Sequence, residues 1–348
     1  MNKVKVAVFG ASGYSGEELV RRLAEHPLVE IGYLTSRQHA GKKASEVFGW
    51  VSRNSRLAKV EFAEPDLGRL SSLGVEHAFL ALPHGVASEF AVPLLERNVK
   101  VIDLSADFRI KDPAVYKQFY QHDHPAPFLF RKAVYGLPEI YRDAIVKADL
   151  VACPGCYPTS ILLPLIPLLR AKLVRSSSIV ANSLSGVSGA GRKAEVDLLF
   201  VECNESARPY GLPFHRHLSE IEQELSNAAG EPVMIQFAPH LIPLNRGILT
   251  TIHADPATPV TASILERTYE SAYGSDRFID LLGSARYPDI KNVVFTNRIQ
   301  IAWRIDSRTG RVILMSAEDN LVKGAAGQAI QCLNIMNGWD EGSGLGLS

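Results

Sequence analysis

Apolar residues follow two different patterns along this chain, and the first half reads as strands and helices in alternation. The run Val4–Phe9 is almost wholly apolar, which is typical of a strand buried on both faces of a parallel sheet. Residues 17–26 place apolar side chains at helical spacing, and further strands are predicted at 29–34, 77–82, 99–104 and 149–152. This alternation predicts an α/β fold with a Rossmann-like, doubly wound parallel sheet.

From residue 156 onward the pattern changes. An apolar helix begins there, and Pro164 and Pro167 are expected to break it up. Strand-like runs follow with few helices between them, at 178–183, 233–238, 247–254, 293–305 and 311–316. They predict a separate α+β domain with a mixed, largely antiparallel sheet. Such sheets often carry a dimer interface, so we expect a homo-oligomer, either a dimer or a tetramer.

The two patterns suggest a division into domains. Residues 1–152 form the predicted nucleotide-binding domain, and residues 153–319 form the predicted catalytic and dimerisation domain. Small residues are frequent between Asp319 and Gln331, which permits close helix packing. We therefore expect residues 320–348 to return to the first domain, near the nicotinamide.

A glycine-rich turn joins the first strand to the first helix. Gly10-Ala11-Ser12-Gly13-Tyr14-Ser15-Gly16 stands where a dinucleotide fingerprint is required, although its spacing is GxxGxxG. Glycines let the backbone approach a pyrophosphate, whose charge then faces the helix N-terminus. A tight turn without ligand is the alternative. The expected cofactor contacts are Gly10, Ser12, Gly13, Tyr14, Ser15 and Gly16.

The second strand ends in Thr35-Ser36-Arg37. An NAD site normally carries an Asp or Glu about 20 residues past the glycines, to accept from the ribose 2′-OH. A hydroxyl and a guanidinium stand there instead, with Lys42 and Lys43 nearby, and these suit a 2′-phosphate. The sequence therefore favours NADP, held by Ser36 and Arg37, unless these cations only decorate a solvated loop.

Cys156 follows a Pro-Gly turn between an apolar strand and a helix. Amides at a helix start stabilise a thiolate, and a thiolate attacks acyl and aldehyde carbons. The turn therefore predicts a covalent thioester or thiohemiacetal enzyme. A buried structural cysteine is one alternative, and a CxxC redox or zinc pair with Cys153 is another.

His215 and His217 are the second chemical candidate. Ser219 and Glu222 match a capping box, which predicts a helix that begins just after His217. An imidazole at a helix N-terminus can stay neutral near pH 7 and act as acid and base. The residues alone leave open which histidine does so. A zinc site with the two cysteines is conceivable, but the helix start argues against it, and we expect no metal.

Three other segments are expected to contact ligands. Residues 82–85 and 104–109 lie where strands end, the edge at which doubly wound sheets bind ligands. Arg109 is suited to grip a phosphate or carboxylate there, or equally to pair with Asp107 or Asp112. Residues 185–192 form a glycine-rich loop that can approach a ligand closely.

Composition narrows the function classes. The 348 residues suggest two domains, and 37 basic residues balance 37 acidic ones, so no net field favours nucleic acid or an anionic membrane. No apolar run approaches the roughly 20 residues of a membrane helix. Four cysteines do not make a disulfide scaffold, and the first strand follows Met1 too closely for a signal peptide. We expect a cytoplasmic protein that acts on a small molecule.

Read together, the motifs resemble the N-acetyl-gamma-glutamyl-phosphate reductase family, most specifically in Pro154-Gly155-Cys156-Tyr157-Pro158-Thr159. The resemblance implies the third step of arginine biosynthesis, in which NADPH reduces N-acetyl-5-glutamyl phosphate to N-acetylglutamate 5-semialdehyde. It implies that Cys156 forms the thioester and that His217 is the acid/base. The remaining expected contacts are Arg109, His215 and Ser188 for the substrate, and Gly189 and Asn320 for the cofactor.

Three alternatives accompany this interpretation. The lysine-branch relative reduces an aminoadipyl phosphate on a carrier protein, although Pro154 and Tyr157-Pro158 resemble the arginine enzyme more. Aspartate-semialdehyde dehydrogenase shares the chemistry with motifs that match less well. A non-enzymatic NADP-binding redox sensor would use Cys153 and Cys156 without turnover.

Overall fold

The computed structural model describes residues 3–346, which divide into two compact units. Unit 1 runs to Pro154 and resumes at Ala325, and unit 2 is Gly155–Gly324. Within the described part of the chain, every helix is too short or too polar to span a bilayer.

Unit 1 is built on a seven-stranded parallel sheet. Its strands are β1 (Val4–Phe9), β2 (Val29–Thr35), β3 (Phe62–Ala63), β4 (His77–Leu80), β5 (Lys100–Asp103), β6 (Val134–Tyr135) and β7 (Leu150–Ala152). Their order across the sheet is β3-β2-β1-β4-β5-β7-β6, and every pairing is parallel. The reversal of order between β1 and β4 is the switch point at which such sheets bind ligands. The predicted doubly wound sheet is confirmed.

The helices of unit 1 come from both ends of the chain. They are α1 (Tyr14–Glu25), α2 (Ala44–Val47), α3 (Gly68–Leu73), α4 (Ala87–Glu96), α5 (Pro113–Tyr120), α6 (Pro138–Val146) and α11 (Gly327–Met336). The last helix contacts α6, where Gln331 Nε2 donates to Glu139 Oε1 at 3.2 Å. Its Asn334 Oδ1 also lies 2.9 Å from His26 Nε2, just after α1.

Unit 2 carries the second sheet. In chain order its elements are α7 (Cys156–Arg170), β8 (Val180–Ser185), α8 (Phe200–Cys203), β9 (Arg208–Pro209), α9 (His217–Ala229), β10 (Gln236–Leu241), β11 (Ile248–Ala254), α10 (Ala262–Tyr273), β12 (Ile279–Gly283), β13 (Ile299–Ile305) and β14 (Val312–Glu318). The sheet order is β12-β13-β14-β11-β8-β10-β9. Four of the six pairings are antiparallel, so the predicted mixed, largely antiparallel sheet is confirmed.

The predicted strand 293–305 is wrong in its first half. A 3₁₀ turn at Ile290–Asn292 and a left-handed Phe295 (φ 65°) precede β13, which begins only at Ile299. Thr296 Oγ1 donates to Val293 O at 2.7 Å and accepts from Arg298 N at 3.2 Å. These local side-chain bonds compete with a strand ladder, and apolar content alone did not reveal them.

The expected break of α7 at its prolines is also wrong, because α7 is one helix of 15 residues. Pro164 and Pro167 cannot donate to the carbonyls four residues earlier, those of Ser160 and Leu163. Ser316 Oγ donates to Ser160 O at 2.6 Å, and Tyr273 OH donates to Leu163 O at 2.8 Å. Hydroxyls from β14 and α10 thus replace the two missing backbone bonds, and the helix continues.

Candidate active site

The glycine turn of unit 1 is too tight for side chains at two of its three glycines. Gly10 has φ +73°, and a Cβ there would lie 2.3 Å from Ala81 O. A Cβ on Gly16 would lie 2.3 Å from Gly10 O. Gly13 is the N-cap of α1, with φ −72° and ψ 165°. The chain is therefore folded back on itself where α1 begins, and the first-turn amides can receive an anion. This cradle fits a dinucleotide pyrophosphate.

The end of β2 is bonded to the glycine turn. Gly10 N donates to Thr35 Oγ1 at 3.1 Å, and the hydroxyls of Ser12 and Ser36 lie 2.8 Å apart. Arg37 follows at the surface, as do Lys42 and Lys43. The structure thus brings Ser12 and Ser36 together, beside an exposed cationic stretch.

Arg109 is 4% exposed and is directed at backbone carbonyls of unit 1. Its Nε donates to Cys153 O at 2.6 Å, and its Nη2 donates to Leu104 O at 2.8 Å. The two aspartates considered as its partners receive backbone amides, from Gly85 and Ser88 in the case of Asp107 and from Ala114 in the case of Asp112. The guanidinium therefore braces the turn that carries Cys153.

Asp103 lies fully buried beside this brace. Burial raises the pKa of its carboxyl, and the neighbouring charge of Asp107 adds to the shift. Both oxygens are hydrogen-bonded by Ser105, through its amide at 2.9 Å and its hydroxyl at 2.8 Å. Two acidic side chains thus order the loop after β5.

Cys156 is the first residue of α7, and it is half-buried. Gly155 is the N-cap, with φ −70° and ψ 162°. The intrahelical bonds begin with Thr159 N, which donates to Gly155 O at 3.1 Å, and Pro158 has no N–H. The amides of Cys156 and Tyr157 therefore lie ahead of the helical ladder, where such amides can stabilise a nearby anion.

His217 occupies the corresponding place in α9, as its first residue. Its amide donates to His215 Nδ1 at 3.1 Å, which makes that ring nitrogen an acceptor. Burial and, secondarily, the positive charge of Arg216 lower the pKa of His215 to about 4. His215 is therefore a neutral imidazole near pH 7, oriented by the backbone of His217.

The predicted capping box is wrong. The helix begins at His217 itself, three residues earlier than a Ser219 cap would allow, and its N-cap Arg216 makes no side-chain cap bond. Ser219 Oγ donates back to Arg216 O at 2.9 Å, and Glu222 Oε1 accepts from Ile235 N at 3.1 Å. Because Ser219 and Glu222 have partners elsewhere, the S-x-x-E spacing does not mark the helix start.

An aromatic cluster joins the two helix starts. The ring of Tyr157 lies 5.5 Å from His215 and 5.9 Å from His217, and the histidine rings are 4.9 Å apart. The Tyr157 and Tyr210 hydroxyls are 2.7 Å apart, and burial raises the pKa of Tyr210 to about 12. The residue after Cys156 therefore packs on both histidines, and both phenols stay protonated at neutral pH.

The glycine-rich loop of unit 2 is fixed by Asn320. Asn320 Nδ2 donates to Ser188 Oγ at 3.0 Å, and Asn320 Oδ1 accepts from Gly247 N at 2.7 Å. A Cβ on Gly189 would lie 3.7 Å from Asn320 Nδ2. Ser188, Gly189 and Asn320, which the sequence suggests from separate segments, come together here.

The sequence reasoning missed three residues around Cys156. Tyr210 meets Tyr157, Glu220 Oε1 accepts from Gly155 N at 2.9 Å, and Gly324 leaves no room for a side chain. A Cβ on Gly324, within a turn of π-helix at Val322–Ala326, would lie 2.7 Å from Cys156 Cβ. Only Glu220 carried a signal, since it lies three residues after His217 and so on the same side of the helix.

Two family models match the chain. "Semialdehyde dehydrogenase, NAD binding domain" matches residues 5–148, and "Semialdehyde dehydrogenase, dimerisation domain" matches residues 156–320. The glycine turn lies in the first match, and Cys156, both histidines and Asn320 lie in the second. The chain therefore belongs to the class of semialdehyde dehydrogenases, and the prediction that it binds a dinucleotide is confirmed. Among residues 3–346 no three His, Cys, Asp or Glu side chains are grouped to hold a metal ion.

Similar proteins indicate which family within this class the chain belongs to. An N-acetyl-gamma-glutamyl-phosphate reductase of Akkermansia muciniphila is 54% identical over 99% of both chains, and one of Geobacter sulfurreducens is 49% identical over 98% of both. This chain belongs to the N-acetyl-gamma-glutamyl-phosphate reductase family, as its motifs suggest. Aspartate semialdehyde dehydrogenase II of Vibrio cholerae, solved with ASA, shares the fold at TM-score 0.73 and 19% identity, covering 97% of this chain and 99% of that one.

Proposed function

We propose that this chain reduces N-acetyl-5-glutamyl phosphate to N-acetylglutamate 5-semialdehyde with NADPH and releases phosphate, the third step of arginine biosynthesis. Membership in the family supports the substrate. The observation that carries the chemistry is a cysteine at the start of α7 joined through Tyr157 to a histidine at the start of α9.

The proposed reaction begins at Cys156. Its thiolate attacks the acyl carbon, the carbon–oxygen bond to phosphate breaks, and a thioester forms on the sulfur as phosphate leaves. The amides ahead of the α7 ladder stabilise the negative charge on the acyl oxygen. Bound NADPH supplies the hydride that reduces the acyl group. The hydroxyl of the thiohemiacetal then gives its proton to the imidazole of His217 as the carbon–sulfur bond breaks, which yields the aldehyde and regenerates the thiolate.

His217 is the proposed acid/base. It takes the thiol proton before attack and returns a proton to the oxygen of the reduced intermediate. His215 is less suited to this role, because its Nδ1 accepts the His217 amide and its pKa is held at about 4. We assign His215 to substrate binding together with Ser188 and Arg109, whose guanidinium has the charge and planar shape that suit a phosphate or carboxylate.

NADP is the proposed cofactor. Gly10, Gly13 and Gly16 shape the turn, with Ser12, Tyr14 and Ser15 beside them, and Gly189 and Asn320 are two further proposed contacts. The support for NADP over NAD is Ser36, held by Ser12, next to the exposed Arg37. A guanidinium at this place suits a 2′-phosphate, and no Asp or Glu of β2 stands there to repel it.

We further propose a homodimer or a tetramer that works in the cytoplasm. Residues alternate along β11, with Ile248, Thr250 and Ile252 buried and with Leu249 and Thr251 half-buried on the opposite face. Leu249 pairs with Leu184 of β8, and an apolar pair on this half-buried face suits a contact between copies. The reducing conditions of the cytoplasm keep a nucleophilic thiol in its active form, which supports this location. Sedimentation equilibrium measures the mass of the assembly and so distinguishes a monomer, a dimer and a tetramer.

The deciding experiment is phosphate-dependent reduction of NADP by N-acetylglutamate 5-semialdehyde. We expect turnover that requires phosphate and that is much weaker with aspartate semialdehyde or a carrier-linked aminoadipate semialdehyde. Preference for either of those aldehydes would assign the chain to that reaction instead. Absence of turnover with all three, together with reversible oxidation of Cys153 and Cys156, would favour the redox sensor.

A further inference from the structure

Glu220 is a fully buried carboxylate in the first turn of α9. Its Oε1 accepts a hydrogen bond from Gly155 N at 2.9 Å. Gly155 is the N-cap of α7, and the next residue is Cys156. A charged acceptor makes a stronger bond to an amide than a neutral one does, and burial removes competition from water. The bond therefore fixes the peptide that carries the nucleophile.

Glu220 also lies next to His217, because both residues belong to the first turn of α9. It follows His217 by three residues, and residues at that spacing are neighbours on a helix surface. One carboxylate thus connects the first residue of α9 to the turn before the first residue of α7. The ring contacts of Tyr157 with the two histidines join the same two helix starts.

We propose that Glu220 is the positioning residue that aligns Cys156 with His217 and whose negative charge sets the sharing of a proton between them. The proposal rests on the proposed function for its effect on turnover. A carboxylate beside the pair opposes a thiolate and favours a protonated imidazole. It therefore preserves on His217 the proton that the reduced intermediate must receive.

Other titratable and charged groups surround the same turn and stay constant when Glu220 is replaced. They are Tyr157 of α7, Tyr210, His215 and Arg216 ahead of α9, Glu318 at the end of β14 and Lys323 beside Gly324. Because Glu318 is a second buried carboxylate near Gly324, removing Glu220 alone leaves one acidic group in place. Loss of the Glu220 charge is therefore expected to shift the pH midpoint of Cys156 alkylation by a limited amount.

Two substitutions separate geometry from charge. Glu220→Gln keeps an oxygen that can accept from Gly155 N, so kcat should stay within about threefold of wild type. The pH midpoint of Cys156 alkylation by iodoacetamide should fall by roughly half a unit to one unit, because a like charge is removed. Glu220→Ala removes the acceptor as well, and kcat should fall about 10- to 100-fold while KM changes less than about twofold.

Glu224 provides the matched control. It lies one turn later on the same side of α9, is 2% exposed, and accepts from Gln223 Nε2 at 2.9 Å. Glu224→Gln and Glu224→Ala should leave both the alkylation midpoint and kcat near wild type. An unchanged midpoint in Glu220→Gln, or equal losses of kcat in Glu220→Ala and Glu224→Ala, would overturn the proposal.

The two readouts also separate this proposal from the assigned reaction. Alkylation needs no physiological substrate, so the midpoint shift can be measured even if the enzyme reduces a different acyl phosphate. Thermal unfolding of each variant shows whether the fold is retained. If Glu220→Ala does not fold, Glu220→Gln alone still decides through its alkylation profile.

Discussion

The starts of α1 and α7 use the same backbone device for two different purposes. Gly13 and Gly155 are the N-caps, with φ and ψ of −72° and 165° at the first and −70° and 162° at the second. In both, an extended residue after a parallel strand turns the chain into a helix and leaves amides facing outward. What differs is the next residue, which is Tyr14 in one helix and Cys156 in the other.

The two starts are also held in place differently. At α1 the chain supports itself, since the space beside Gly16 is filled by Gly10 O and the amide of Gly10 is bonded by Thr35. At α7 the support comes from distant buried groups, Glu220 and Gly324. A turn that only has to receive an anion can be specified locally. A turn that must aim a nucleophile at its partner requires tertiary contacts.

The largest expected effect tests the residue that distinguishes the turns. Cys156→Ser should fold and bind NADP but lose turnover on the order of 10⁴-fold or more, because an alkoxide is scarce at neutral pH. Steady-state rates and cofactor titration measure the two properties. Cys153→Ser, at a fully buried position, is the control and should keep most activity. Equal losses in both variants would indicate a redox pair in place of a thioester.

The next effect concerns the helix that faces the cysteine turn. His217→Asn should lower kcat by about 10²–10⁴-fold, the usual range for acid/base help, with the melting temperature preserved. His215→Asn should act mainly on KM, since His215 is neutral near pH 7 and accepts the His217 amide. A collapse of kcat in the His215 variant alone would exchange the two roles, and full kcat in both would remove histidine from the mechanism.

A smaller effect tests what the glycine turn receives. Arg37→Ala should raise the KM for NADP while leaving that for NAD nearly unchanged, because only NADP carries the 2′-phosphate. A lost charged hydrogen bond of roughly 1.5–3 kcal/mol corresponds to about a 10- to 150-fold change. Parallel kinetics with both cofactors provide the measurement. Equal losses for NADP and NAD would contradict the assignment of Arg37.

The smallest expected effect is on protein stability, and it distinguishes two glycines of the same turn. Gly16→Ala places a methyl group 2.3 Å from Gly10 O and should destabilise the protein by about 1–3 kcal/mol in the absence of ligand. Gly13→Ala meets only Gly10 O at 3.6 Å, with a φ that alanine accepts, and should unfold like wild type within about 1 kcal/mol. Urea titration measures the free energy of unfolding of both variants. Equal losses of stability would show that the turn is not tight.

Much of the fold followed from the sequence because its causes are local. Apolar runs such as Val4–Phe9 predicted the parallel sheet, and the glycine spacing predicted a tight turn between β1 and α1. The sequence-based predictions failed where a side chain has two possible hydrogen-bond partners. Ser219 and Glu222 had cap spacing but are bonded to Arg216 and Ile235, and neither choice is visible in the sequence.

The residue types and their order specify the chemical groups of this protein: a cysteine and a histidine at helix starts, and a hydroxyl and a guanidinium at the end of β2. Which distant groups support them depends on how the chain packs. Glu220 and Gly155 are 65 residues apart, Tyr157 and Tyr210 are 53 apart, and Ser316 lies 156 residues from the carbonyl it restores in α7. The physical reason is that a residue type fixes the number of donors and acceptors, whereas their partners are chosen when packing excludes water and each buried group must be satisfied.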